Sequence, residues 1–336
     1  MGLPPVRFIA HPGAGRGAFA RVWPDLSAAL TAAGVQHEVQ LTTRALEAAD
    51  LARDAAEAST PLVVAVGGDG TLHEVVNGIL TADLPPAARP AVGLVPAGRG
   101  SDYARGLGLP TDPAALVACF AAAVGGDPTA LHPVDAGEAT YLASPRTARR
   151  PTPPSPLPGE PPADLHEPVV RYFINCAGIG FSPFVAQRTA RFPARLGPYL
   201  YTAAALLTIV DWRDRAVRLR WADGSEEERA VESVELALGR FEGGGMLIAP
   251  DADPGDGLFD TVIVGAVSRW EMTTFSWRIR TGDHLRSPAV EVRRAQGLVV
   301  SVADERGPLY LQADGELLGR DPFAFRVLPS ALRFVW

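Results

Sequence analysis

Lysine is absent from this chain of 336 residues, and all 31 of its basic residues are arginine. The absence excludes three kinds of chemistry that depend on a lysine amine: the Walker A phosphate loop, the strand lysine of protein kinases and Schiff-base catalysis. Cysteine is nearly absent too, since only Cys119 and Cys176 occur, far apart in apolar stretches. We therefore expect two buried free thiols in a reducing compartment.

Excess positive charge and long apolar runs are also missing. The formal net charge of −7 argues against nucleic acid as the main partner. The longest apolar run, around Tyr199 to Val210, is too short to span a bilayer. The N-terminus lacks the basic and then apolar pattern of a secretion signal. We expect a cytoplasmic protein, long enough for two domains of ordinary size.

One stretch organises the chain: the apolar run Leu62–Val66, followed by Gly-Gly-Asp-Gly-Thr at 67–71. The run predicts a strand buried on both faces of a parallel sheet. The glycines permit a sharp reversal and let backbone N–H groups approach a ligand closely. Thr71 and Glu74 have the spacing of a capping box, so a helix is predicted to begin at Thr71.

A strand, a glycine turn and a helix N-terminus in succession favour a phosphate site. Asp69 would repel a bare phosphate, so in such a site it would orient a Mg²⁺-nucleotide or the hydroxyl about to be phosphorylated. The alternative is a tight turn in which Asp69 is a solvated turn residue.

The same order of strand, glycine turn and helix occurs elsewhere in the N-terminal part. Val6–Ala10 predicts a strand, followed by a glycine-rich turn at 11–17 and a helix over Phe19–Ala33. Val92–Pro96 predicts a further strand, followed by another glycine turn at 97–100. The repetition predicts a doubly wound parallel sheet, with ligands at the carboxyl ends of its strands.

Near Pro133 the pattern changes to short alternating strands with turn signals. We therefore predict an α/β nucleotide-binding domain, 1–133, followed by a mostly antiparallel β-sandwich domain, 134–336. The proline-dense segment 144–168 is expected to be a disordered insertion at a hairpin tip.

Two helical stretches interrupt the strands of the second part. The segment Ala186–Val210 could contact a membrane surface, although covering the sandwich is the simpler interpretation. In Ser268–Arg280, Trp270 and Trp277 are seven residues apart on one helical face. We expect these two tryptophans to belong to the core rather than to a lipid contact.

Residues 67–71 resemble a motif of the diacylglycerol kinase catalytic family, which includes sphingosine kinases and bacterial lipid kinases. NAD kinases carry the same five residues, so this motif alone leaves the substrate open. Further motifs resembling those of the family follow in the family's order over nearly the whole chain, at 11–17, Thr42, 97–105, Asn175–Phe181, Gly243–Asp260, Gly282–His284 and Asp314–Glu316. The order is more specific than any one motif.

The resemblance implies ATP as the phosphoryl donor, with Mg²⁺ neutralising its β- and γ-phosphates. The residues implied to hold the nucleotide are His11, Gly13, Gly15, Thr42, Gly67, Gly68, Asp69, Gly70, Thr71, Leu72, His73, Glu74, Gly98 and Arg99. The chain departs from the family where His11 replaces asparagine and Arg99 replaces threonine. Arg99 could meet the triphosphate as a bidentate donor, or it could be a solvated loop residue.

The resemblance also implies the catalytic groups. Glu316 would accept the proton of the substrate hydroxyl, with Asp314 beside it, and Asp69 is the third candidate. Asp-Gly between apolar runs is itself a strong hairpin signal, so Asp314 has a full structural explanation.

Closely spaced aspartates lie at 251–260, where the spacing does not fit an EF-hand calcium loop. The resemblance implies a structural Mg²⁺ held by Asp256 and by the backbone carbonyls of Asp253 and Leu258. An aspartate-glycine turn without metal is the alternative.

Together these features indicate an ATP-dependent kinase of a lipid alcohol, with diacylglycerol as the first candidate. Ser182 stands where sphingosine kinases have an aspartate, which disfavours sphingosine. An NAD kinase-like enzyme is one alternative. A lipid-binding relative without catalysis is another, motivated by Arg99, Ser101 and Ser182. We expect peripheral contact with the inner membrane face, no nucleic-acid partner, and leave a homodimer open.

Overall fold

A computed structural model describes residues 4–13, 17–98, 101–143, 168–189 and 199–336. These described residues form two compact units. The first unit holds those up to Ala136 together with Pro329–Trp336, and the second holds those from Gly137 to Leu328.

The first unit alternates strands and helices. Its elements are β1 (Val6–Ala10), α1 (Ala18–Ala32), β2 (His37–Leu41), α2 (Glu47–Glu57), β3 (Leu62–Gly67), α3 (Asp69–Thr81), β4 (Ala91–Pro96), α4 (Asp102–Leu107) and α5 (Pro113–Val124). The first four strands pair in parallel in the order β4-β3-β1-β2. Because the order reverses at β1, the sheet is doubly wound, as predicted.

The core of the first unit lies around the two central strands. Every residue of β3 is buried, in agreement with the predicted two-sided burial. Phe8 of β1 packs edge-to-face against Trp23 of α1 and Phe120 of α5, with ring centroids 5.3 and 5.9 Å away. These contacts fix helices to the sheet and leave the strand ends to carry the loops.

The predicted start of the central helix is wrong by two residues. α3 begins at Asp69, with Gly68 in an extended conformation as its N-cap and no side-chain cap. Thr71 does not cap because it lies inside the first turn of α3, where its hydroxyl faces Gly67. Glu74 accepts instead from the backbone N–H of Ala48 on α2, at 3.3 Å. The capping-box spacing therefore serves a contact between neighbouring helices.

The second unit is dominated by strands, and two strands, β5 and β16, run across the division between the units. The elements are β5 (Leu131–Leu142), β6 (Pro168–Phe173), β7 (Cys176–Gly180), α6 (Phe181–Thr189), α7 (Tyr199–Asp211), β8 (Arg215–Trp221), β9 (Glu226–Ala237), β10 (Phe241–Glu242), β11 (Met246–Leu247), β12 (Phe259–Gly265), α8 (Arg269–Arg278), β13 (Val290–Ala295), β14 (Gly297–Val302), β15 (Tyr310–Ala313) and β16 (Glu316–Val335).

Neighbouring strands of the second unit run antiparallel in the order β13-β12-β9-β7-β15-β16. One face of this sheet packs into an apolar core that includes Phe173, Phe259 and Phe323. An α/β unit followed by an antiparallel β-rich unit confirms the predicted fold class.

The structure differs from the predicted boundaries at the C-terminus. The last eight residues, Pro329–Trp336, group with the first unit. Phe334 pairs in parallel with Val92 of β4, and the N–H of Ser330 donates to Asp135 Oδ1 at 2.8 Å. The proline-rich insertion predicted at 144–168 lies outside the described residues except for Pro168, where β6 begins.

The expectation that Trp270 and Trp277 belong to the core is wrong. Their exposed fractions are 76% and 70%. The opposite side of α8 is the buried one, where Met272 packs against Ile209 and Trp212 at the end of α7.

Within the parts of the chain that the structure describes, no helix combines the length and the apolar content needed to cross a bilayer.

Candidate functional site

Four loops of the first unit leave the carboxyl ends of β1, β2, β3 and β4, which lie at one edge of the parallel sheet. They carry the predicted nucleotide residues: His11 and Gly13 after β1, Thr42 after β2, the glycine turn after β3, and Gly98 after β4. This edge is where doubly wound sheets bind ligands. Gly15 and Arg99 lie outside the described residues.

The glycine turns after β3 and β4 are in direct backbone contact. A Cβ on Gly98 would lie 2.3 Å from the Cα of Gly68. The N–H of Ala97 donates to the carbonyl of Gly67 at 2.8 Å, which continues the sheet into the turns. Glycine at 98 is therefore required by this close approach, and the two turns form one surface.

Asp69 joins these turns to α4. Its two carboxylate oxygens accept from the backbone N–H groups of Asp102 and Tyr103, each at 3.1 Å. Ser101, the N-cap residue of α4, makes no side-chain cap, so Asp69 supplies the acceptor from another segment. Asp102 itself pairs with Arg105. Asp69 is thus a half-buried positioning carboxylate as well as a candidate ligand for the nucleotide.

Thr42 presents a buried hydroxyl at the end of β2. Its side chain is 5% exposed, and its Oγ1 has no hydrogen-bond partner among the described residues. Its backbone N–H donates to the carbonyl of Ala10 at 2.9 Å, which fixes the residue beside β1. A buried polar atom without a partner is costly, and a ligand oxygen or nitrogen at this edge would satisfy it.

The other predicted nucleotide residues divide into loop and core. His11 Nδ1 accepts from the N–H of Gly13 at 3.0 Å, so its ring closes the loop after β1. Gly70 is exposed and Thr71 half-buried. Leu72 and His73 are buried in α3, where the amide of Asn77 donates to the His73 carbonyl at 2.8 Å. Leu72 and His73 are therefore buried residues of the helix rather than residues of the exposed loop.

In the second unit, Asp314 acts as a clamp in the predicted hairpin turn. It adopts a left-handed conformation with φ of 49°. Its carboxylate accepts from three consecutive backbone N–H groups, those of Ile174, Asn175 and Cys176, at 3.1, 3.0 and 3.2 Å. These bonds tie the β15–β16 turn to the segment that leads into β7. The structural interpretation of Asp314 therefore accounts for its carboxylate.

Glu316 is the first residue of β16 and pairs across the hairpin with Ala313. Its side chain is half-buried. The turn beneath it is held rigid, because the N–H of Gly315 donates to Gln312 Oε1 at 3.0 Å. Glu316 thus directly follows this hydrogen-bonded turn, two residues after Asp314.

A row of polar side chains that the sequence interpretation missed lies next to this hairpin. Gln312, Gly178 and Glu235 are in register across β15, β7 and β9. Gln312 Nε2 donates to Glu242 at 2.5 Å. A Cβ on Gly178 would lie 2.1 Å from Glu235 Oε2 and 2.2 Å from the hydroxyl of Ser182. Glycine at 178 is thus what makes room for them.

Burial raises the pKa of Glu235 well above its ordinary value, and the neighbouring charge of Glu242 raises it further. Both effects favour the protonated, uncharged form of Glu235. The sequence gives only a weak indication of this buried carboxyl. A glutamate inside the apolar strand Ser233–Leu238 is also what the polar face of an ordinary antiparallel strand would contain.

A third buried carboxyl, Glu232, makes stability depend on pH. Burial raises its pKa from 4.5 to about 7; the Ser233 hydroxyl opposes the shift and the charge of Asp214 adds to it. The native state then holds the proton more tightly than the unfolded state, so this stability is lost as pH rises from 4.5 through about 7.

We expect Glu232→Gln to raise the melting temperature at pH values above this window and to leave it nearly unchanged below it. The corresponding increase in the free energy of unfolding is at most about 3 kcal/mol. The exposed Glu226 on the same strand is the matched control, and Glu226→Gln should show no such crossover. Equal effects of Glu232→Gln at both ends of the window would contradict the assignment.

Among the predicted metal ligands, the side chain of Asp256 already has protein partners. Asp256 forms an ion pair with Arg294, and its other oxygen accepts from the N–H of Leu258 at 3.0 Å. Asp253 accepts from the N–H of Gly255 at 3.0 Å. No group of three or more metal-binding side chains occurs in the described ranges. Of the three implied ligands, the Asp256 carboxylate is therefore the one that pairs with Arg294, and the Mg²⁺ site formed with the Asp253 and Leu258 carbonyls stays a prediction.

His284 of the Gly-x-His motif has a structural place. It is buried, and its Nε2 donates to the carbonyl of Ile248 at 3.1 Å. Burial lowers its pKa, so it is neutral at physiological pH. The contact ties this motif to the Gly243–Pro250 stretch.

The chain therefore combines an α/β unit that has glycine turns at its ligand edge with an antiparallel β-rich unit that has an Asp-Gly-Glu hairpin. The family model "Diacylglycerol kinase catalytic domain" matches residues 5–134, and "YegS C-terminal NAD kinase beta sandwich-like domain" matches residues 175–336. The chain belongs to the diacylglycerol kinase catalytic-domain family, and its enzyme class is that of a kinase.

Individual relatives agree with this assignment. The chain is 33% identical over 311 residues to "Probable lipid kinase YegS-like" of Chromohalobacter salexigens, covering 89% of this chain and 84% of the relative. It is 27% identical over 320 residues to "Diacylglycerol kinase" of Staphylococcus saprophyticus, covering 95% and 91%. A diacylglycerol kinase structure from Bacillus anthracis, 18% identical, superposes with a TM-score of 0.67 over 100% of this chain and 98% of that one, which shows the shared fold.

Proposed function

We propose that the protein is an ATP-dependent lipid kinase that converts diacylglycerol to phosphatidic acid. The relatives named above as lipid or diacylglycerol kinases support the lipid acceptor. One observation supports ATP as the phosphoryl donor. At the carboxyl edge of the parallel sheet, the joined glycine turns lie at the same strand ends as Thr42, and the buried Thr42 hydroxyl has no partner among the described residues.

ATP would bind at this carboxyl edge. The first N–H groups of an α-helix have no intrahelical partner, and at α3 they belong to residues 69–71, next to the Gly67–Gly68 turn. These donors and the helix dipole favour phosphate oxygens. The Thr42 hydroxyl would bond to the nucleotide. Magnesium enters with the substrate as MgATP, and no step is assigned to Asp253, Asp256 or Leu258.

The acceptor hydroxyl would give its proton to the Glu316 carboxylate. The hydroxyl oxygen then forms a bond to the γ-phosphorus as the bond from that phosphorus to the bridging oxygen of ADP breaks. The products are phosphatidic acid and ADP. Transfer of this kind depends mostly on positioning and charge stabilisation, and the base supplies part of the rate.

The test is a panel of acceptors, namely diacylglycerol, ceramide, sphingosine and NAD, offered with ATP labelled at the γ-phosphate. We expect label in the diacylglycerol product and little in sphingosine. Label in NAD alone would favour the NAD kinase alternative. Absence of transfer to every acceptor by folded protein would favour the lipid-binding relative without catalysis.

Thr42→Val tests the nucleotide site separately. The variant keeps the shape of the side chain but removes its hydroxyl, so we expect the KM for ATP to rise roughly fivefold. Stability should hold or increase, because an unpaired buried hydroxyl disappears. Thr261, fully buried in β12 with Oγ1 likewise without a partner among the described residues, is the matched control. Thr261→Val should leave the KM unchanged, and an equal change in both variants would contradict the assignment.

A further inference from the structure

The second unit exposes large apolar side chains on two helices that pack together. Leu206, Leu207 and Val210 of α7 have exposed fractions of 45, 49 and 58%, and α8 exposes Trp270 and Trp277 even more. Among the described residues, only Leu41, Val170 and Val292 are other large apolar side chains exposed to a similar extent. The exposed apolar surface is therefore concentrated on α7 and α8.

These side chains are not an incompletely buried core, because each helix already buries its other side. Ile209 and Trp212 at the end of α7 pack against Met272 of α8. Leu206, Leu207 and Val210 have the one- and four-residue spacing of a single helical face, and Trp270 and Trp277 lie two turns apart on one face of α8. We refer to these two exposed apolar surfaces, one on each helix, together as the α7–α8 face.

Arginines without acidic partners border this face. Arg269 and Arg278 are in α8, Arg280 follows it, and all three are exposed. None forms an ion pair with a carboxylate of the described residues. The exposed Arg218 of β8 differs, since it pairs with Glu226 and Glu228. A chain of net charge −7 thus keeps uncompensated positive charge beside its most exposed apolar surface.

A cavity of about 230 Å³ lies at the C-terminal end of α7. Its lining includes Phe184, Trp212, Arg213 and two arginines with acidic partners, since Arg188 pairs with Asp211 and Arg215 with Asp304. Arg213 is exposed, and its side chain donates only to the carbonyl of Trp212 at 3.0 Å among the described residues. Arg213 therefore adds one basic group just past the end of the helix.

We propose that the α7–α8 face, with Arg269, Arg278 and Arg280, docks on an anionic phospholipid bilayer. Tryptophan favours the boundary between water and hydrocarbon. Arginine beside an anionic surface adds attraction, and two apolar helix faces with a basic border are typical of interfacial binding. The choice of a bilayer over another partner rests on the proposed lipid substrate. Docking would bring the second unit to the surface that holds this substrate.

The test is cosedimentation of the full chain with vesicles of phosphatidylcholine, with and without phosphatidylglycerol, in the absence of ATP. We expect binding to the mixed vesicles and much weaker binding to pure phosphatidylcholine. The double variant Trp270→Ser/Trp277→Ser should bind the mixed vesicles about tenfold or more weakly. The triple variant Arg269→Gln/Arg278→Gln/Arg280→Gln should lose the preference for phosphatidylglycerol.

Val170→Ser and Arg218→Gln are the matched controls, since each changes an exposed apolar or basic side chain away from the face. Both should bind like the wild type. Undiminished vesicle binding by the tryptophan variant would overturn the proposal. A second result would also overturn the proposal: the wild type binds no vesicles but forms a dimer in sedimentation velocity, and the tryptophan variant does not form this dimer. The face would then join two copies of the chain.

Activity on a short-chain diacylglycerol dispersed in water separates docking from catalysis. The tryptophan variant should retain wild-type turnover there, and an equal loss on soluble and vesicle substrates would overturn the docking role. If the wild type binds vesicles but phosphorylates no lipid, the docking proposal stands and the proposed function fails.

Discussion

Replacing Glu316 by glutamine is expected to lower kcat by about 100- to 10,000-fold, the usual contribution of a general base. This corresponds to about 3 to 5 kcal/mol of activation free energy. Glutamine keeps the size of the side chain but cannot accept the hydroxyl proton. The KM for ATP should stay within a few-fold, because the nucleotide residues are untouched. Initial rates at saturating acceptor, with the melting temperature as a check on folding, measure both effects.

Asp314→Asn is the matched control for this change. Asp314 accepts from three consecutive backbone N–H groups, and an amide cannot serve all three. We expect a loss of about 2 to 4 kcal/mol in the free energy of unfolding, with a smaller effect on kcat than that of Glu316→Gln. If Glu316→Gln retains near-native kcat while a folded Asp314→Asn enzyme is inactive, the roles are reversed and Asp314 is the base.

Asp69→Ala is expected to reduce turnover by roughly 100-fold or more, because misplacing a loop by about 1 Å at a reacting centre has effects of that size. The carboxylate holds two amides at the start of α4, and its loss frees the turn around Gly98. Stability should fall by only about 1 to 2 kcal/mol, the usual effect of removing a helix cap. Turnover and thermal unfolding of the same preparation distinguish the two effects.

Asp112 offers a matched control for the cap. Its side chain accepts from the N–H of Ala115 at 3.0 Å, at the start of α5. Asp112→Ala should therefore show a comparable loss of stability with normal turnover. A folded Asp69→Ala enzyme with unchanged kcat would contradict the assignment of the glycine turn to the nucleotide site.

Sequence patterns that only one kind of structure produces predicted the fold well. A continuous apolar run before a glycine turn marks a strand buried on both faces, and β3 forms there because few other structures bury such a run. The change to short alternating strands likewise predicted the antiparallel second unit.

Sequence patterns that two different structures can produce led to wrong predictions. The spacing of Thr71 and Glu74 is that of a capping box, but Glu74 reaches α2 instead. Trp270 and Trp277 share a helical face, but the spacing does not say whether that face meets the core or solvent. Which face is buried depends on Met272 packing against α7, a contact between segments far apart in the sequence.

The site shows the same division. The Asp-Gly pattern correctly predicted a turn at Asp314. The three amides that Asp314 binds belong to residues 174–176, which are about 140 residues away in the sequence, so no local pattern could predict them. The partners of Asp69 on α4 are also distant in the sequence. Glu235 was missed because a glutamate in a strand of alternating polar and apolar residues is normally predicted to be exposed. In the structure, the absence of a side chain at Gly178 makes room for the Glu235 carboxyl in the interior.

The most direct test of the central claim is the fate of the γ-phosphate of ATP when purified protein is incubated with diacylglycerol, with the Glu316→Gln protein as its blank. The wild type is predicted to place label in phosphatidic acid, extracted with the lipids, and the blank to place almost none there. Label found only in inorganic phosphate, or equal lipid labelling by both proteins, would contradict the account.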